Sequence, residues 1–169
     1  MNLTPDPAHR RGLGRLIADV RPSVVVDIGD WADMPSLCKY EPKGGTFMEG
    51  RRITDDERSA VDARARVARE VPKRLREAIR WVSTLGNHEQ RINRAANSDA
   101  ALIGKLHTKN LGAEDHGWEV WPYLTPVLID GIWYSHAAVS PGTGREMGGI
   151  YHAASLVREY HDSRVVGHS

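Results

Sequence analysis

Short apolar runs that stop at a glycine alternate with amphipathic stretches along this chain. Apolar residues recur every three or four positions between residues 9 and 20, which predicts a helix that ends before Pro22. The β-branched run 23–28 stops at a glycine and is typical of a buried strand in a parallel sheet. Residues 81–85 form a second run that ends in the same way, so they are predicted as a second strand.

The polar stretches between these runs predict further helices. Residues 54–57 have the spacing of a capping box, so we expect a charged helix to begin at Thr54 and run toward Arg80. Pro72 should kink or divide that helix. A shorter helix is predicted after Ser98, and a last helix over residues 149–160.

The last third of the chain carries a hairpin signal. The pair Asp130-Gly131 separates the apolar runs 126–129 and 132–135, and both central residues of a type I′ turn need positive φ. Residues 164–166 form a final short strand candidate. Strands that alternate with helices predict an α/β layered fold to which an antiparallel hairpin is added.

Composition and charge place the chain among soluble globular proteins. Its 169 residues are 40% hydrophobic and 27% charged, a balance that excludes wholesale disorder and suits one domain over residues 1–169. The net charge of +1 creates no overall field for nucleic acid or an anionic membrane. The single cysteine, Cys38, excludes an internal disulfide. No apolar run approaches the ~18 residues of a membrane helix, so we expect a cytoplasmic protein without a membrane partner.

Side chains that can bind metals follow the predicted strands at four places. Carboxylate, amide and imidazole groups at the carboxyl ends of neighbouring strands can meet at one edge of a sheet. Such mixed oxygen and nitrogen ligands suit Mn²⁺, Fe²⁺ or Zn²⁺. The four places are Gly29-Asp30-Trp31-Ala32-Asp33, Gly86-Asn87-His88-Glu89, Ser135-His136 and Gly167-His168.

Each of these places also has a simpler explanation when it is taken alone. Gly29-Asp30 is compatible with a turn that leads into a helix cap. A lone histidine is more often a hydrogen-bonded, partly buried side chain than a ligand. Four such places in one order, each after a β-type run, favour a shared metal site.

The order Gly-Asp-x-x-Asp, Gly-Asn-His-Glu, His, Gly-His resembles the calcineurin-like metallophosphoesterase superfamily. The resemblance covers the chain from about Val24 to its last residue and is strongest to bacterial and phage members. It implies two packed β-sheets flanked by helices, with a two-metal centre that hydrolyses phosphate monoesters or diesters by means of a metal-activated hydroxide. The implied cofactors are two divalent ions (Mn, Fe, Zn or Mg), with Mn favoured.

The resemblance also implies roles for individual residues. Asp30 would bridge the two metals, and His88 would contact the scissile phosphate or protonate the leaving oxygen. Asp33 would support His88 or the ligands. The remaining ligands of one metal would be Asn87, His136 and His168. From the sequence position alone, Arg91 and Arg94 follow this motif closely enough to clamp a substrate phosphate.

Two elements of the family pattern are missing from this chain. The family begins with Asp-x-His after a first strand, whereas Asp6-Pro7-Ala8-His9 has the wrong spacing and no strand before it. The family ends its ligand set with Gly-His-x-His, and this chain stops at Ser169. We therefore expect a partial domain that is incomplete at both ends, with one metal shell nearly whole.

Two other functions remain open at this point. The same fold with a degenerate metal centre could serve as a binding or scaffold module. The segment 57–80 carries eight Arg and Lys against four Asp and Glu, so it could bind nucleic acid or simply form a solvated helix face.

Overall fold

Six strands form two three-stranded sheets in the part of the chain that the structure describes. The computed structural model describes residues 7–40, 45–149 and 151–168, with only the backbone of residues 7–11. The helices are α1 (Pro7–Val20), α2 (Ile53–Glu70), α3 (Lys73–Ala78), α4 (Gln90–Ser98) and α5 (His152–Glu159). The strands are β1 (Val24–Asp27), β2 (Arg80–Thr84), β3 (Trp118–Trp121), β4 (Val127–Ile129), β5 (Ile132–Ser135) and β6 (Ser163–Val166).

The two sheets differ in strand direction. In the first sheet β1, β2 and β3 are parallel in that order, and Asp27 at the end of β1 pairs with Ser83 of β2. In the second sheet β4 and β5 form an antiparallel hairpin, and β6 lies parallel to β5. Ser135 at the end of β5 pairs with Val166 of β6. Because β1 is parallel to β2 and β5 is parallel to β6, the residues that follow the two strands of each pair lie at the same edge of their sheet.

Apolar side chains join the sheets and the helices into layers. Val82 of the first sheet packs with Val127 and Ile129 of the second, so a core lies between the two sheets. On the other face of the first sheet, Trp81 and Trp118 belong to a second cluster. That cluster also includes apolar residues of α1 and α2. The chain is thus a mixed α/β structure, as its alternating pattern predicts.

Several elements appear where the pattern places them. The hairpin turn at Asp130-Gly131 has φ values of 49° and 81°, which confirms the left-handed turn predicted there. The strands predicted at residues 23–28, 81–85 and 164–166 form with boundaries shifted by at most one residue. However, β1 lies at the edge of its sheet and is only half-buried, so the prediction of a fully buried strand is wrong.

The helix boundaries correct other predictions. Helix α2 begins at Ile53 after Arg52, with no side-chain cap, so the capping box expected at Thr54 is wrong. Pro72 divides the charged segment into α2 and α3, as one of the two expected outcomes. The helix expected after Ser98 is wrong, because short 3-10 turns at Ala100–Leu102 and Thr108–Leu111 take its place after α4 has ended. Strand β3 was not predicted.

Two further expectations concern the ends of the chain and membranes. Asp6 and the side chain of His9 lie outside the residues that the structure describes, as does Ser169. Within the described ranges, none of the helices is both long and apolar enough to cross a membrane.

The contact between α1 and α2 depends on Gly14 and gives a stability prediction. A Cβ at Gly14 would lie 2.7 Å from Cβ of Glu70 and 2.8 Å from the carbonyl oxygen of Val67, and this backbone cannot give way easily. We expect Gly14→Ala to lower the free energy of unfolding by about 1–2 kcal/mol through overpacking. Gly12 of the same helix has open space around it. The control Gly12→Ala should therefore raise stability by up to about 1 kcal/mol, as measured by urea unfolding.

Candidate metal centre

A sharp turn after β1 places the Asp30 carboxylate beyond the end of the first sheet. Gly29 and Asp30 both have left-handed backbone conformations, with φ of 94° and 57°. Aspartate adopts this region more readily than most residues that carry a Cβ. Oδ1 of Asp27 accepts a hydrogen bond from the Gly29 N–H at 3.1 Å, which fixes the start of the turn. The strand and its own last side chain thereby set the direction in which Asp30 points.

The buried carboxylate of Glu89 ties this turn to the loop that follows β2. Its Oε2 accepts hydrogen bonds from the backbone N–H of Gly86 at 2.7 Å and of Asp30 at 3.1 Å. Its Oε1 accepts from the N–H of Ala32 at 2.7 Å. Glu89 is only 2% exposed, and burial raises its pKa while the hydrogen bonds from Ala32 and Gly86 oppose that shift. Glu89 therefore holds two of the four predicted motifs together.

Three glycines allow these strand ends to approach each other closely. A Cβ at Gly29 would lie 2.6 Å from Nδ1 of His136, and one at Gly86 would overlap the carboxylate of Asp30. A Cβ at Gly167 would lie 2.8 Å from the carbonyl oxygen of Ile28. The glycines before the predicted ligands are thus required by the packing of the site, beyond their role in turns.

Three of the predicted ligands form one group that could hold a metal ion. Asp30, His136 and His168 each offer a ligand atom, and these atoms all lie within 4.8 Å of one another. Nε2 of His136 lies 3.5 Å from Oδ2 of Asp30, and the rings of His136 and His168 have centroids 5.2 Å apart. His136 is only 3% exposed, so its ring is fixed by its surroundings.

The fourth predicted ligand, Asn87, faces the same point. Nδ1 of His136 lies 2.8 Å from the carbonyl oxygen of Ile28, and because that oxygen can only accept, the ring proton sits on Nδ1. Nε2 then presents a lone pair, 3.0 Å from Oδ1 of Asn87. The carboxylate of Asp30 lies beside the same amide, so Oδ1 faces only acceptors.

Two arrangements satisfy this set of lone pairs. If the Asn87 amide is turned, its NH₂ group lies 3.0 Å from Nε2 of His136 and 3.1–3.2 Å from the Asp30 oxygens. In the second arrangement the amide is not turned. A cation then binds the carboxylate oxygen, the amide oxygen and the unprotonated imidazole nitrogens together. Oxygen and nitrogen ligands in this mixture fit a borderline or hard divalent ion. The residues present therefore fit the metal that the sequence predicts.

His88 and Asp33 form a pair at the rim of this group. Nδ1 of His88 lies 2.7 Å from Oδ1 of Asp33, and Nε2 lies 4.0 Å from Oδ2 of Asp30. The backbone N–H of His88 donates to Oδ1 of Asp30 at 3.0 Å. The ring is thus held on one side by Asp33 and turns its other nitrogen toward the ligand group. Asp33 is thus in hydrogen-bond contact with His88.

The two arginines proposed as phosphate clamps differ in their surroundings. Arg91 donates from Nη1 to the carbonyl oxygens of Asp33 at 2.7 Å and Met34 at 3.3 Å, so it braces the loop after β1. Arg94 is exposed and donates from Nη2 to the carbonyl oxygen of Asn87 at 2.7 Å. Of the two arginines, Arg94 is the one whose guanidinium lies at the exposed rim of the site.

Sequence reasoning missed Tyr123 and Glu146 as neighbours of the site. Oε1 of Glu146 lies 3.7 Å from Nε2 of His168, and the ring centroid of Tyr123 lies 6.0 Å from that of His136. Burial raises the pKa of the Tyr123 phenol far above its usual range, and Glu146 adds to the shift. The hydroxyl has no partner in hydrogen-bond geometry among the described residues.

The arrangement as a whole joins residues from four separate segments of the sequence. Ligand atoms come from the turns after β1, β2, β5 and β6, and one buried carboxylate links the first two of these turns. Since these contacts span more than a hundred residues, local turn chemistry alone does not explain them. A scan against protein-family models, a search of curated proteins and a search of solved structures each found no match to this chain.

Proposed function

We propose that this chain is a metal-dependent phosphoesterase of the calcineurin-like metallophosphoesterase type. The observation that carries the proposal is the convergence of Asp30, Asn87, His136 and His168, with the His88–Asp33 pair beside them. A metal site without a neighbouring proton donor would suit a structural role. A paired, partly exposed histidine next to the ligands suits catalysis instead.

The architecture is compatible with the same proposal. Two packed sheets with helices on the outer face of the first sheet support the layered fold that the resemblance implies. The site lies beyond the carboxyl ends of the strands, where ligands bind in sheets of this kind. The described residues supply one group of ligands. We therefore propose one tightly held cation per chain, most simply Mn²⁺, with Asp30 as the ligand that a second cation would share.

The chain's own residues then have distinct tasks. Asp30, Asn87, His136 and His168 hold the cation, which when bound supplies Lewis-acid polarisation of a phosphate ester and activation of water. Asp33 accepts the Nδ1 proton of His88 and fixes its ring. His88 donates the proton on Nε2 to the leaving oxygen of the ester. Arg94 lies at the rim, where its positive charge attracts the substrate phosphate.

The test is hydrolysis by the purified full chain. We expect release of nitrophenol from p-nitrophenyl phosphate or from bis(p-nitrophenyl) phosphate with added Mn²⁺. Chelator should reduce the rate to the buffer background, and Mn²⁺ should restore it, because the metal provides the Lewis acid. The two substrates separate monoesterase from diesterase activity.

Two results would overturn the proposal. A rate that is unchanged by chelator would exclude the metal-dependent mechanism. A chain that binds no Mn²⁺ by calorimetry and hydrolyses neither ester would support a non-catalytic scaffold with the same fold.

A further inference from the structure

Arg64 of α2 lies buried beneath the metal centre. It is 3% exposed, and its Cζ lies 4.4 Å from the ring centroid of Trp31 and 4.6 Å from that of Trp118. Nη2 donates to Oδ2 of Asp27 at 3.1 Å and to Oγ of Ser83 at 3.2 Å. Nε and Nη1 are buried without a hydrogen-bond partner among the described residues.

This arrangement is costly for a purely structural residue. Burial lowers the pKa of the Arg64 guanidinium, and the Asp27 carboxylate opposes that shift. A buried ion pair is often no more stable than apolar side chains of similar volume, and buried N–H groups without partners add to the cost. A buried charge with two unused nitrogens needs an explanation other than stability.

The contacts of Arg64 lead to the turn that carries Asp30. Asp27, its partner, accepts the Gly29 N–H with its other oxygen, so the ion pair and the turn share one carboxylate. Helix α2 makes a second link to the same turn, because Nε1 of Trp31 donates to the carbonyl oxygen of Ala60 at 3.2 Å. The position of the turn relative to α2 is thus fixed on both sides of Asp30.

The negative charges around this turn also favour a positively charged side chain at the position of Arg64. The buried carboxylate of Glu89 and the Asp27 carboxylate, whose side chain is 10% exposed, each accept a hydrogen bond from the turn, and Asp30 adds a third negative charge. Glu89 lies close enough to favour the charged form of Arg64. The buried guanidinium, 3.1 Å from Oδ2 of Asp27, balances part of this negative charge.

We propose that Arg64 is a positioning residue of the metal centre, which acts through the Asp27 carboxylate to fix the Gly29–Asp30 turn and so to aim the Asp30 carboxylate at the cation. This inference rests on the proposed function, because it assumes that a cation binds Asp30. Replacement of a residue that orients a metal ligand without binding the metal itself typically weakens metal affinity by about 10–100-fold.

The experiment measures Mn²⁺ affinity and melting temperature together on the full chain. Arg64→Met alone leaves Asp27 buried and uncompensated, so the main variant is the neutral pair Asp27→Asn/Arg64→Met. We expect that pair to melt at or above the wild-type temperature and to bind Mn²⁺ at least about tenfold more weakly. Arg64→Lys, which keeps the charge, should lose less affinity. The matched control is Arg66→Met on the same helix, where the arginine pairs with Asp62 one turn away, and its affinity should not change.

The outcomes separate the two proposals. If the wild-type chain binds no Mn²⁺, the proposed function fails and this inference fails with it. If the wild type binds Mn²⁺ and the neutral pair binds it equally well, only the role of Arg64 is refuted. A neutral pair that does not fold also refutes the inference, because a pair retained for positioning must be replaceable without loss of the fold.

Discussion

Replacement of His88 by Ala is expected to lower kcat for phosphate-ester hydrolysis by about 10²–10⁴-fold, the usual contribution of a positioned proton donor. Mn²⁺ affinity should stay within about threefold of the wild type, because the ring lies outside the ligand group and its removal costs no ligand. Nε2 of the His88 ring lies 4.0 Å from Oδ2 of Asp30, whereas the 3.0 Å hydrogen bond to Asp30 comes from the backbone N–H, which the substitution keeps. Steady-state kinetics and calorimetric titration with Mn²⁺ measure the two effects separately.

The dependence on the leaving group makes this prediction specific to a proton donor. Nitrophenolate leaves readily without a proton, whereas an alkoxide does not, so His88→Ala should harm an alkyl phosphate more than a nitrophenyl phosphate. Asp33→Asn removes the negative charge that faces Nδ1 while it keeps an oxygen that can accept its proton, so it should give a smaller loss of the same kind. His161→Ala changes an exposed histidine and serves as the control. Equal losses for both esters would assign His88 to substrate binding instead.

The convergence of the four motifs was predictable because it follows from strand geometry. Runs that end at a glycine are visible in the sequence, and the carboxyl ends of parallel strands lie at one edge of a sheet. Asp30 and Asn87 follow β1 and β2 of the first sheet, so strand geometry brings these two together. His136 and His168 follow β5 and β6, which are parallel neighbours in the second sheet. The packing of the two sheets then brings the two pairs to one place. The chemistry of the ligands needs no knowledge of side-chain conformation.

The residues that support the site were not predictable, since their partners are distant along the chain. Glu89 was visible only as the last letter of Gly-Asn-His-Glu, and nothing local shows that it bonds Asp30 and Ala32, more than fifty residues away. Asp27 had no explanation as a polar residue in an apolar strand. Its partner, Arg64, was counted among the surface charges of the helix, because helical periodicity does not reveal which arginine faces two tryptophans.

The same contacts bear on the idea that residues 57–80 bind nucleic acid. Arg64 is buried, and Arg80 forms two hydrogen bonds with Glu119 of the neighbouring strand. Arg58 and Arg66 pair with acidic residues of their own helix. Several of these charges are therefore neutralised within the protein, whereas the phosphate contacts that hold nucleic acid require free basic side chains. These contacts remove Arg64 from the surface and pair Arg58, Arg66 and Arg80 with carboxylates.

The second large effect is expected from Asp30→Asn, which should weaken Mn²⁺ binding by at least about 100-fold, because replacement of residues behind a ligand alone costs about 10–100-fold. Hydrolysis should fall with the loss of metal. Asn keeps the volume of the side chain and an oxygen that can accept the His88 N–H. It also tolerates the left-handed conformation at φ 57°. The variant therefore removes the negative charge while the turn stays intact, so the loss reports on the ligand itself.

Asp130→Asn is the matched control, since Asp130 has nearly the same backbone conformation, φ 49°, in the exposed turn between β4 and β5. It should change neither Mn²⁺ affinity nor activity. In both variants the free energy of unfolding should stay within about ±0.5 kcal/mol of the wild type, which is the usual range for surface substitutions. Calorimetric titration with Mn²⁺ and thermal unfolding of the three proteins provide the comparison. If Asp30→Asn binds Mn²⁺ as tightly as Asp130→Asn does, the group formed by Asp30, His136 and His168 is held together by hydrogen bonds alone, and the turned amide of Asn87 is its true state.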